Sequence, residues 1–122
     1  MKKYTEEHEW INLEEGVATV GISAHAAHEL GDITFIELPE VDMNVKQGDS
    51  IGTVESVKAA SDIYSPVGGR ISAVNTDVED SPEIVNDSPE EKGWLCKLDS
   101  VNEDEMKALM TDAEYEEFIT GS

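Results

Sequence analysis

The sequence predicts a mainly β domain, an antiparallel sandwich or barrel with few helices. Short runs of β-forming residues recur along the chain, and turns with glycine or proline separate them. Helical periodicity is confined to one short segment and the C-terminal tail. The 122 residues lie within the usual size of one domain. We therefore expect a single domain over 1–122 with one core.

The first predicted elements are a hairpin and a further strand. Strand-forming residues at 10–13 and 17–22 flank Glu14-Glu15-Gly16, which is typical of a tight turn. Residues 33–38 return to β character and stop at Pro39, which cannot donate to a ladder. We therefore expect these segments to form strands of an antiparallel sheet.

A short helix is predicted between these strands, near 24–30. Ser23 can accept a hydrogen bond from the first turn, and Gly31 follows where a left-handed residue often ends a helix. This helix would carry His25 and His28, which could begin a zinc site. The sequence offers no third protein ligand, so we interpret these histidines as surface or partner-facing residues and expect no metal.

The second half of the chain repeats the strands and ends in helices. Strand-like segments occupy 51–56, 62–65 and 70–74. Residues 76–92 show little periodicity and contain prolines, which predicts a long loop. Asn102-x-x-Glu105 and Thr111-x-x-Glu114 resemble capping boxes before apolar residues at helical spacing. Two short amphipathic helices are therefore expected over about 102–119.

The net charge of −20, from 28 acidic and 8 basic residues, narrows the classes of partner. It repels nucleic-acid phosphates and anionic lipid heads. No apolar run reaches the roughly 18 residues that span a bilayer. We therefore expect no nucleic-acid and no membrane partner. The acidity favours partners with basic docking faces, and the alternative is that it serves solubility alone.

The N-terminus and the cysteine bear on the compartment. Residues 1–7 carry lysines but no apolar stretch, so no targeting segment is expected. Cys96 has no partner for an internal disulfide and lies in an apolar run, which favours a core position and a reducing compartment. These features predict a cytoplasmic protein, or a mitochondrial-matrix protein for a processed eukaryotic form.

The segment 55–62 holds one lysine, Lys58, between two predicted strands. It lacks the Asn-Gly or Asp-Gly of an ordinary tight hairpin. An exposed lysine is usually only a solvated charge. The neighbours Val57, Ala59 and Ala60 are small and apolar, however, and leave the amine approachable by a modifying enzyme.

The order and spacing of several motifs resemble the H-protein family of the glycine cleavage system over nearly the whole chain. The motifs are His8-Glu9-Trp10, Val17-Ala18-Thr19-Val20-Gly21-Ile22, Leu30-Gly31-Asp32, Glu37-Leu38-Pro39, Glu55-Ser56-Val57-Lys58-Ala59, Ser65-Pro66, Val74-Asn75, Pro82-Glu83-Ile84-Val85-Asn86 and Gly93-Trp94. The resemblance implies a flattened barrel-sandwich hybrid of the lipoyl/biotinyl type, with the lysine on a hairpin and helices at the edges. It also implies lipoic acid in amide linkage to Lys58.

Two more positions resemble features that lipoyl-attaching enzymes recognise. Glu55 lies three residues before the lysine and Gly69 lies eleven after it. The alternatives are a solvated strand carboxylate for Glu55 and a turn glycine with positive φ for Gly69. Biotinyl relatives carry Met-Lys-Met at this site, whereas Val57 and Ala59 flank Lys58, so biotin is disfavoured.

The resemblance implies a carrier and not an enzyme. Its partners would be a pyridoxal-phosphate glycine decarboxylase, a tetrahydrofolate-dependent aminomethyltransferase, the FAD enzyme dihydrolipoyl dehydrogenase and a lipoate-attaching enzyme. The carrier would move an aminomethyl group between the first two and reducing equivalents to the third. We expect a monomer. The sequence shows no catalytic triad or phosphate-binding glycine loop that would argue for catalysis.

The resemblance also implies a cleft that shelters the loaded arm. Glu9 and Asp62 are the candidate acids facing its cationic amine, and Ser61 and His8 are secondary candidates. A carboxylate near a partly desolvated ammonium gives a strong, charge-assisted hydrogen bond. The alternative is that Glu9 and Asp62 are merely two of the 28 acids on an acidic surface.

Two other functions are also compatible with the sequence. One is a lipoyl domain or lipoyl-relay protein that serves 2-oxoacid dehydrogenase complexes, although such acceptors usually show Asp-Lys-Ala at the lysine. The other is an unmodified interaction module that kept the fold and lost the carrier role. The mass of the intact protein would separate modified from unmodified forms.

Overall fold

Strands and short helices alternate along residues 1–121, which the computed structural model describes. The strands are β1 Lys2–Tyr4, β2 Glu9–Glu14, β3 Val17–Ile22, β4 Ile33–Glu37, β5 Asn44–Val45, β6 Ser50–Ser56, β7 Ala60–Tyr64, β8 Gly69–Val74 and β9 Cys96–Asp99. The helices are α1 Ala24–Leu30, α2 Thr76–Asp80, α3 Glu83–Asp87, a 3-10 helix Glu103–Ala108 and α4 Asp112–Ile119.

The strands form two open antiparallel sheets. The larger sheet has the order β1-β2-β3-β9-β8-β5, and the smaller one has the order β4-β6-β7. The predicted mainly β class is confirmed, and the strands form a sandwich of open sheets instead of a closed barrel. The lysine segment connects β6 to β7 and therefore belongs to the smaller sheet.

The main core is aliphatic and draws on both sheets. Ile11, Val20, Ile71 and Leu98 have no exposed surface in the larger sheet, and Val54 has none in the smaller one. Each such side chain contributes about 1.5–3 kcal/mol relative to an exposed position. This packing fixes the smaller sheet against the larger one and so sets the position of the lysine hairpin.

Cys96 is fully buried in this core, as its apolar neighbours predicted. Burial raises the pKa of its thiol to about 12. Because the thiolate is the reactive form of cysteine, the raised pKa keeps this thiol unreactive. The side chain therefore serves to pack the core.

The helix α1 has the ends that the sequence predicted. The hydroxyl of Ser23 accepts a hydrogen bond from the backbone N–H of Ala26 at 3.1 Å. Gly31 ends the helix with φ of 77° and donates its N–H to the carbonyl of Ala27. A residue with a Cβ would be strained at this φ, which explains the glycine.

The expectation of a long loop over 76–92 is wrong, because the structure places α2 and α3 there. Val78 and Val85 are fully buried and anchor these helices to the core. Each helix has five residues, which is too short for helical periodicity to show in the sequence. Tertiary contacts therefore form these turns where the local pattern gives no signal.

The C-terminal tail forms one of its two predicted capping boxes. In α4, Thr111 and Glu114 cap each other reciprocally. The box predicted at Asn102 forms only in part: Asn102 accepts from the N–H of Asp104 at 3.2 Å, but the Glu105 carboxylate accepts from the N–H of Gly68 at 2.7 Å. The segment after Asn102 is a 3-10 helix, so only one tail helix is an α-helix.

A second, aromatic cluster joins the two ends of the described chain. It consists of Tyr4, Trp10 and Tyr115, and we call it the aromatic cluster. The rings of Tyr4 and Tyr115 stack with centroids 4.3 Å apart. Tyr4 also forms a two-way backbone bridge with Met110, at 2.9 Å in each direction. These contacts hold the tail against the first strand.

Candidate functional site

Lys58 lies at the tip of the β6–β7 hairpin, with an exposed side chain. The hydroxyl of Ser56 accepts from the N–H groups of Lys58 and Ala59, at 3.1 and 3.2 Å. The N–H of Ser56 donates to the carbonyl of Ala59 at 2.8 Å. One serine therefore takes the place of the glycine that tight turns usually need, by hydrogen-bonding its own turn.

The hairpin rests on the end of α1. The N–H of Val57 donates to the carbonyl of Asp32 at 3.0 Å. A Cβ added to Gly31 would lie 3.5 Å from Cε of Lys58, so the lysine stem crosses the helix end where no side chain intervenes. The backbone under Lys58 is therefore fixed, and the lysine side chain is exposed.

Asn86 supports this arrangement from α3, a role that was not predicted from the sequence. Its side-chain amide donates to the carbonyl of Gly31 at 2.8 Å, and its oxygen accepts from the N–H of Ile33 at 2.9 Å. Asn86 thus bridges the residues on both sides of Asp32. Its place in the motif Pro82-Glu83-Ile84-Val85-Asn86 was the available signal, but the motif alone does not show which backbone groups it contacts.

Glu55 and Asp62 lie on the outer face of the smaller sheet, and both are exposed. Ser61 points to the opposite face, because successive strand side chains alternate. It pairs with the buried Val54 but is itself exposed at the edge strand β7. Ser61 and Asp62 therefore flank the open edge of β7 from opposite sides.

Glu9 is buried, with only 2% of its surface exposed. Its Oε1 accepts from the hydroxyl of Thr5 at 2.7 Å, and its Oε2 accepts from the N–H of Tyr64 at 3.0 Å. Burial raises the pKa of the Glu9 carboxyl, and these two hydrogen bonds oppose the shift. The alternative that Glu9 is one of the many surface acids is therefore wrong. The exposed Asp62 still fits that alternative.

His8 turns toward the tail. Its backbone has φ of 68°, and Nδ1 lies 2.8 Å from the hydroxyl of Tyr115. The imidazole packs against that of His25, with ring centroids 5.0 Å apart. Burial lowers the pKa of His8, and the nearby His25 lowers it further. His25 is half-buried and lies 3.7 Å from Glu29, while His28 is exposed. Within residues 1–121 no group of three or more potential metal-ligating side chains occurs.

Gly69 lies in the larger sheet, at the start of β8, whereas Glu55 and Lys58 belong to the smaller one. The alternative of a turn glycine with positive φ is wrong, since Gly69 is not among the residues with positive φ. A Cβ at this position would lie 2.8 Å from the carbonyl oxygen of Asp99. The close approach of β9, not a special turn, requires glycine here.

The fold and the exposed lysine together define a class of protein. An open β sandwich presents a single lysine, with an exposed side chain, on a hairpin whose backbone is fixed. This is the arrangement of a carrier domain of the lipoyl/biotinyl type. In residues 1–121, no helix is long and apolar enough to cross a membrane.

Comparison with known proteins identifies the family. The family model described as Glycine cleavage H-protein matches residues 2–122. A putative mitochondrial glycine cleavage system H protein of Schizosaccharomyces pombe is 50% identical over 117 residues, which cover 96% of this chain and 69% of that protein. The glycine cleavage system H protein of Staphylococcus epidermidis is 49% identical over 117 residues, which cover 96% and 93% of the two chains.

A solved structure gives the same result. The crystal structure of a glycine cleavage system H protein from Mycobacterium marinum matches with a TM-score of 0.88 and 37% identity, over 98% of this chain and 96% of that one. The chain belongs to the glycine cleavage H-protein family, the lipoyl carriers of glycine cleavage.

Proposed function

We propose that Lys58 is the only site of lipoylation and that the protein carries an aminomethyl group between glycine decarboxylase and aminomethyltransferase. The observation that carries this proposal is the exposed Lys58 amine on a turn fixed by Ser56. The site fits the group, because Gly31 leaves the lysine stem unobstructed and the flanking Val57 and Ala59 are exposed. Dihydrolipoyl dehydrogenase and a lipoate-attaching enzyme complete the set of partners.

The division of labour follows from the side chains present. The lipoyl disulfide supplies the group-transfer and redox chemistry. Lys58 supplies the attachment point and a flexible stem, while Ser56 and Asn86 hold the backbone beneath it. The protein then acts as a carrier and not as an enzyme. We place it, as a monomer, in the prokaryotic cytoplasm or in the mitochondrial matrix.

The open edge of β7 offers a path from Lys58 to a buried carboxylate. The four steps from Ala60 to Tyr64 cover about 13 Å at the usual rise of a strand. Glu9 accepts from the N–H of Tyr64, so its carboxylate marks the far end of this edge. A lipoyl-lysine arm that folds along β7 would bring its cationic end toward Glu9, with Ser61 and Asp62 on either side.

Glu9 has the capacity to receive such a cation. Each of its oxygens accepts one protein hydrogen bond, and a carboxylate has about four acceptor positions. A cation at this buried site would favour the ionised form and so oppose the rise in the pKa of Glu9 that burial causes. Glu9 would therefore bind the amine, and Asp62 would add charge from the outer face. His8 precedes Glu9 in the chain and lies against the Tyr115 hydroxyl, so it would help to hold the backbone that positions the Glu9 carboxylate.

The attachment site is tested with Lys58→Arg, because arginine keeps the charge but cannot form the amide. The wild type and the variant are incubated with a lipoate ligase, lipoate and ATP, and their intact masses are measured. Lys107→Arg, at a lysine whose side chain is 83% exposed, is the matched control. We expect one lipoyl group on the wild type and the control and none on Lys58→Arg. A lipoyl group on Lys58→Arg contradicts the assignment.

The role of Glu9 is tested separately with Glu9→Gln. Loaded wild type and loaded variant are compared for spontaneous release of ammonia, which should be faster in the variant because the amine loses its charged partner. Glu7→Gln, an exposed neighbour, is the control. Equal rates for wild type and Glu9→Gln would contradict the role of Glu9 without affecting the role of Lys58.

A further inference from the structure

A β-bulge in β4 turns an aromatic side chain outward beside the lysine hairpin. Ile33 pairs with Ser56, and Phe35 pairs with Glu55, the residue next to Ser56. Thr34 is therefore an extra residue on β4 with no partner of its own on β6. A regular register would pair Phe35 with Val54, which is fully buried. The extra residue instead puts Phe35 on the outer face, where it is 50% exposed.

The surroundings of Phe35 are acidic. Glu55 lies directly opposite Phe35 on β6. The next row of the same face runs from Glu37 through Thr53 to Asp62. These side chains are exposed, apart from the partly exposed Thr53, and the rows contain no basic residue. The outer face thus places one exposed phenyl ring, on the edge strand β4, beside a group of carboxylates.

The hairpin tip extends this face toward the lysine. Val57 is 67% exposed, next to Lys58 and two residues from Glu55. We call Phe35, Glu37, Glu55, Val57 and Asp62 the hairpin face. Single exposed apolar residues are common on protein surfaces. Phe35 differs because a local break in strand pairing is needed to expose it, and because it pairs with Glu55, three residues before the lysine that would be modified.

We propose that the hairpin face is the surface by which the lipoate-attaching enzyme holds this protein, with Phe35 as the anchor in an apolar pocket that has a basic rim. This inference rests on the proposed modification of Lys58. The enzyme must bring the Lys58 amine to an activated acyl donor, and the face that flanks the hairpin is then within its footprint. The carboxylates beside Phe35 complement a basic surface. A few residues near the centre of an interface, seated in desolvated pockets, contribute most of the binding energy.

The reaction at this interface is an acyl transfer. The neutral Lys58 amine attacks the carbonyl carbon of an acyl adenylate, and a C–N bond forms. The bond from that carbon to the adenylate oxygen breaks, adenosine monophosphate leaves, and the amine gives one proton to solvent. The transfer needs no oxidant, and the hairpin face contributes only binding and orientation.

The proposal is tested with Phe35→Ala and the matched control Phe118→Ala, whose ring is 42% exposed on α4. Steady-state lipoylation by a lipoate ligase is measured for each, together with thermal unfolding. We expect kcat/KM to fall about tenfold or more for Phe35→Ala, mainly through KM. Phe118→Ala should stay within about twofold of the wild type, as expected for a residue outside the interface. Phe35→Tyr, which keeps the ring, should restore most of the loss.

Each outcome separates the two proposals. If Phe35→Ala is lipoylated with the wild-type kcat/KM, the proposal that the enzyme binds the hairpin face is overturned, even if that variant reacts poorly with another partner. An equal loss in both alanine variants also overturns it, because the effect is then general. If Phe35→Ala unfolds, the comparison of Phe35→Tyr with Phe35→Leu decides, since only the loss of the ring should raise KM. Failure of the wild type to accept a lipoyl group would contradict the proposed function itself.

Discussion

In the lysine hairpin the hydrogen bonds stay within the turn or reach Asp32, whereas in the aromatic cluster they join segments far apart in the chain. Glu90 accepts from Lys2, from Tyr4 and from the N–H of Ala24. The hydroxyl of Tyr115 lies 2.7 Å from Ser23 and 2.8 Å from His8. The hairpin is thus shaped locally and its side chains remain exposed, while the cluster ties distant segments together and so adds to the stability of the core.

This difference means that changes in the two regions should have separable effects. A change at the hairpin should alter modification and leave unfolding almost unchanged. A change in the aromatic cluster should lower the free energy of unfolding and affect modification only through the folded fraction.

The largest loss of stability is expected for Trp10→Ala. Trp10 is 3% exposed, donates its indole N–H to the carbonyl of Pro89 at 3.0 Å and packs on Gly21, where a Cβ would lie 2.7 Å from the ring. Removing the ring should cost about 3–5 kcal/mol. Urea unfolding of the variant and of Trp94→Ala, which is only partly buried, measures the difference. A loss below about 1 kcal/mol, far under that range, would show that the cluster contributes little to stability.

The next effect is expected for Gly69→Ala. The new Cβ would lie 2.8 Å from the carbonyl of Asp99, so β8 and β9 must shift, at a cost of about 1–3 kcal/mol. Lipoylation is measured at a temperature where the variant is fully folded. If modification still falls there, Gly69 contributes to enzyme recognition. If it returns to the wild-type rate, its contribution is steric alone.

Glu90→Gln is expected to have a smaller effect that depends on pH. Burial raises the pKa of Glu90, but hydrogen bonds from Lys2, Tyr4 and Ala24 outweigh it, so the net pKa is lowered. The ionised carboxylate therefore adds stability above the ordinary pKa of 4.5, and this stability is lost as the pH falls through the lower pKa of the folded state. The variant should be about 1–3 kcal/mol less stable at neutral pH.

The measurement for Glu90 is the free energy of unfolding between neutral and acidic pH. The difference between wild type and Glu90→Gln should narrow below the ordinary pKa of 4.5. Glu83→Gln, an exposed acid on α3, is the control and should track the wild type at every pH. A difference that stays constant as the pH falls would mean that ionisation of Glu90 does not support the cluster.

The smallest effect on stability is expected at the hairpin. Val57→Ser removes a side chain that is 67% exposed and should change the free energy of unfolding by less than about 0.5 kcal/mol. The same variant removes part of the hairpin face, so lipoylation should slow. Chemical unfolding and lipoylation are measured on one preparation. A larger loss of stability would break the separation between the two regions.

The sequence predicted those elements whose signals are local. The α1 caps at Ser23 and Gly31 and the Thr111 box each depend on residues within one helical turn, and the structure contains them. The strands β2, β3, β4, β6, β7 and β8 lie within two residues of the predicted segments for the same reason, whereas β1, β5 and β9 were not predicted. The helices α2 and α3 were missed because packing of Val78 and Val85 forms them, not a repeated pattern.

Only part of the candidate site could be predicted from the sequence. The exposed position of Lys58 follows from its flanking strands, and the resemblance singled it out. The burial of Glu9 and the outward position of Phe35 depend on strand register, which the sequence does not show directly. Glu105 likewise contacts Gly68 instead of capping its own helix, because a partner distant in the chain was available.

The bridge between Tyr4 and Met110 also constrains biosynthesis. The first strand gains its tail partner only after Met110 has been synthesised, and Tyr4 gains its stacking partner only after Tyr115. Contacts between such distant residues form slowly, and they cannot form while the later residues are still on the ribosome. The β6–β7 hairpin can pair much earlier, since its partners are close in the chain. A nascent chain would therefore present Lys58 before the ends of the domain have closed.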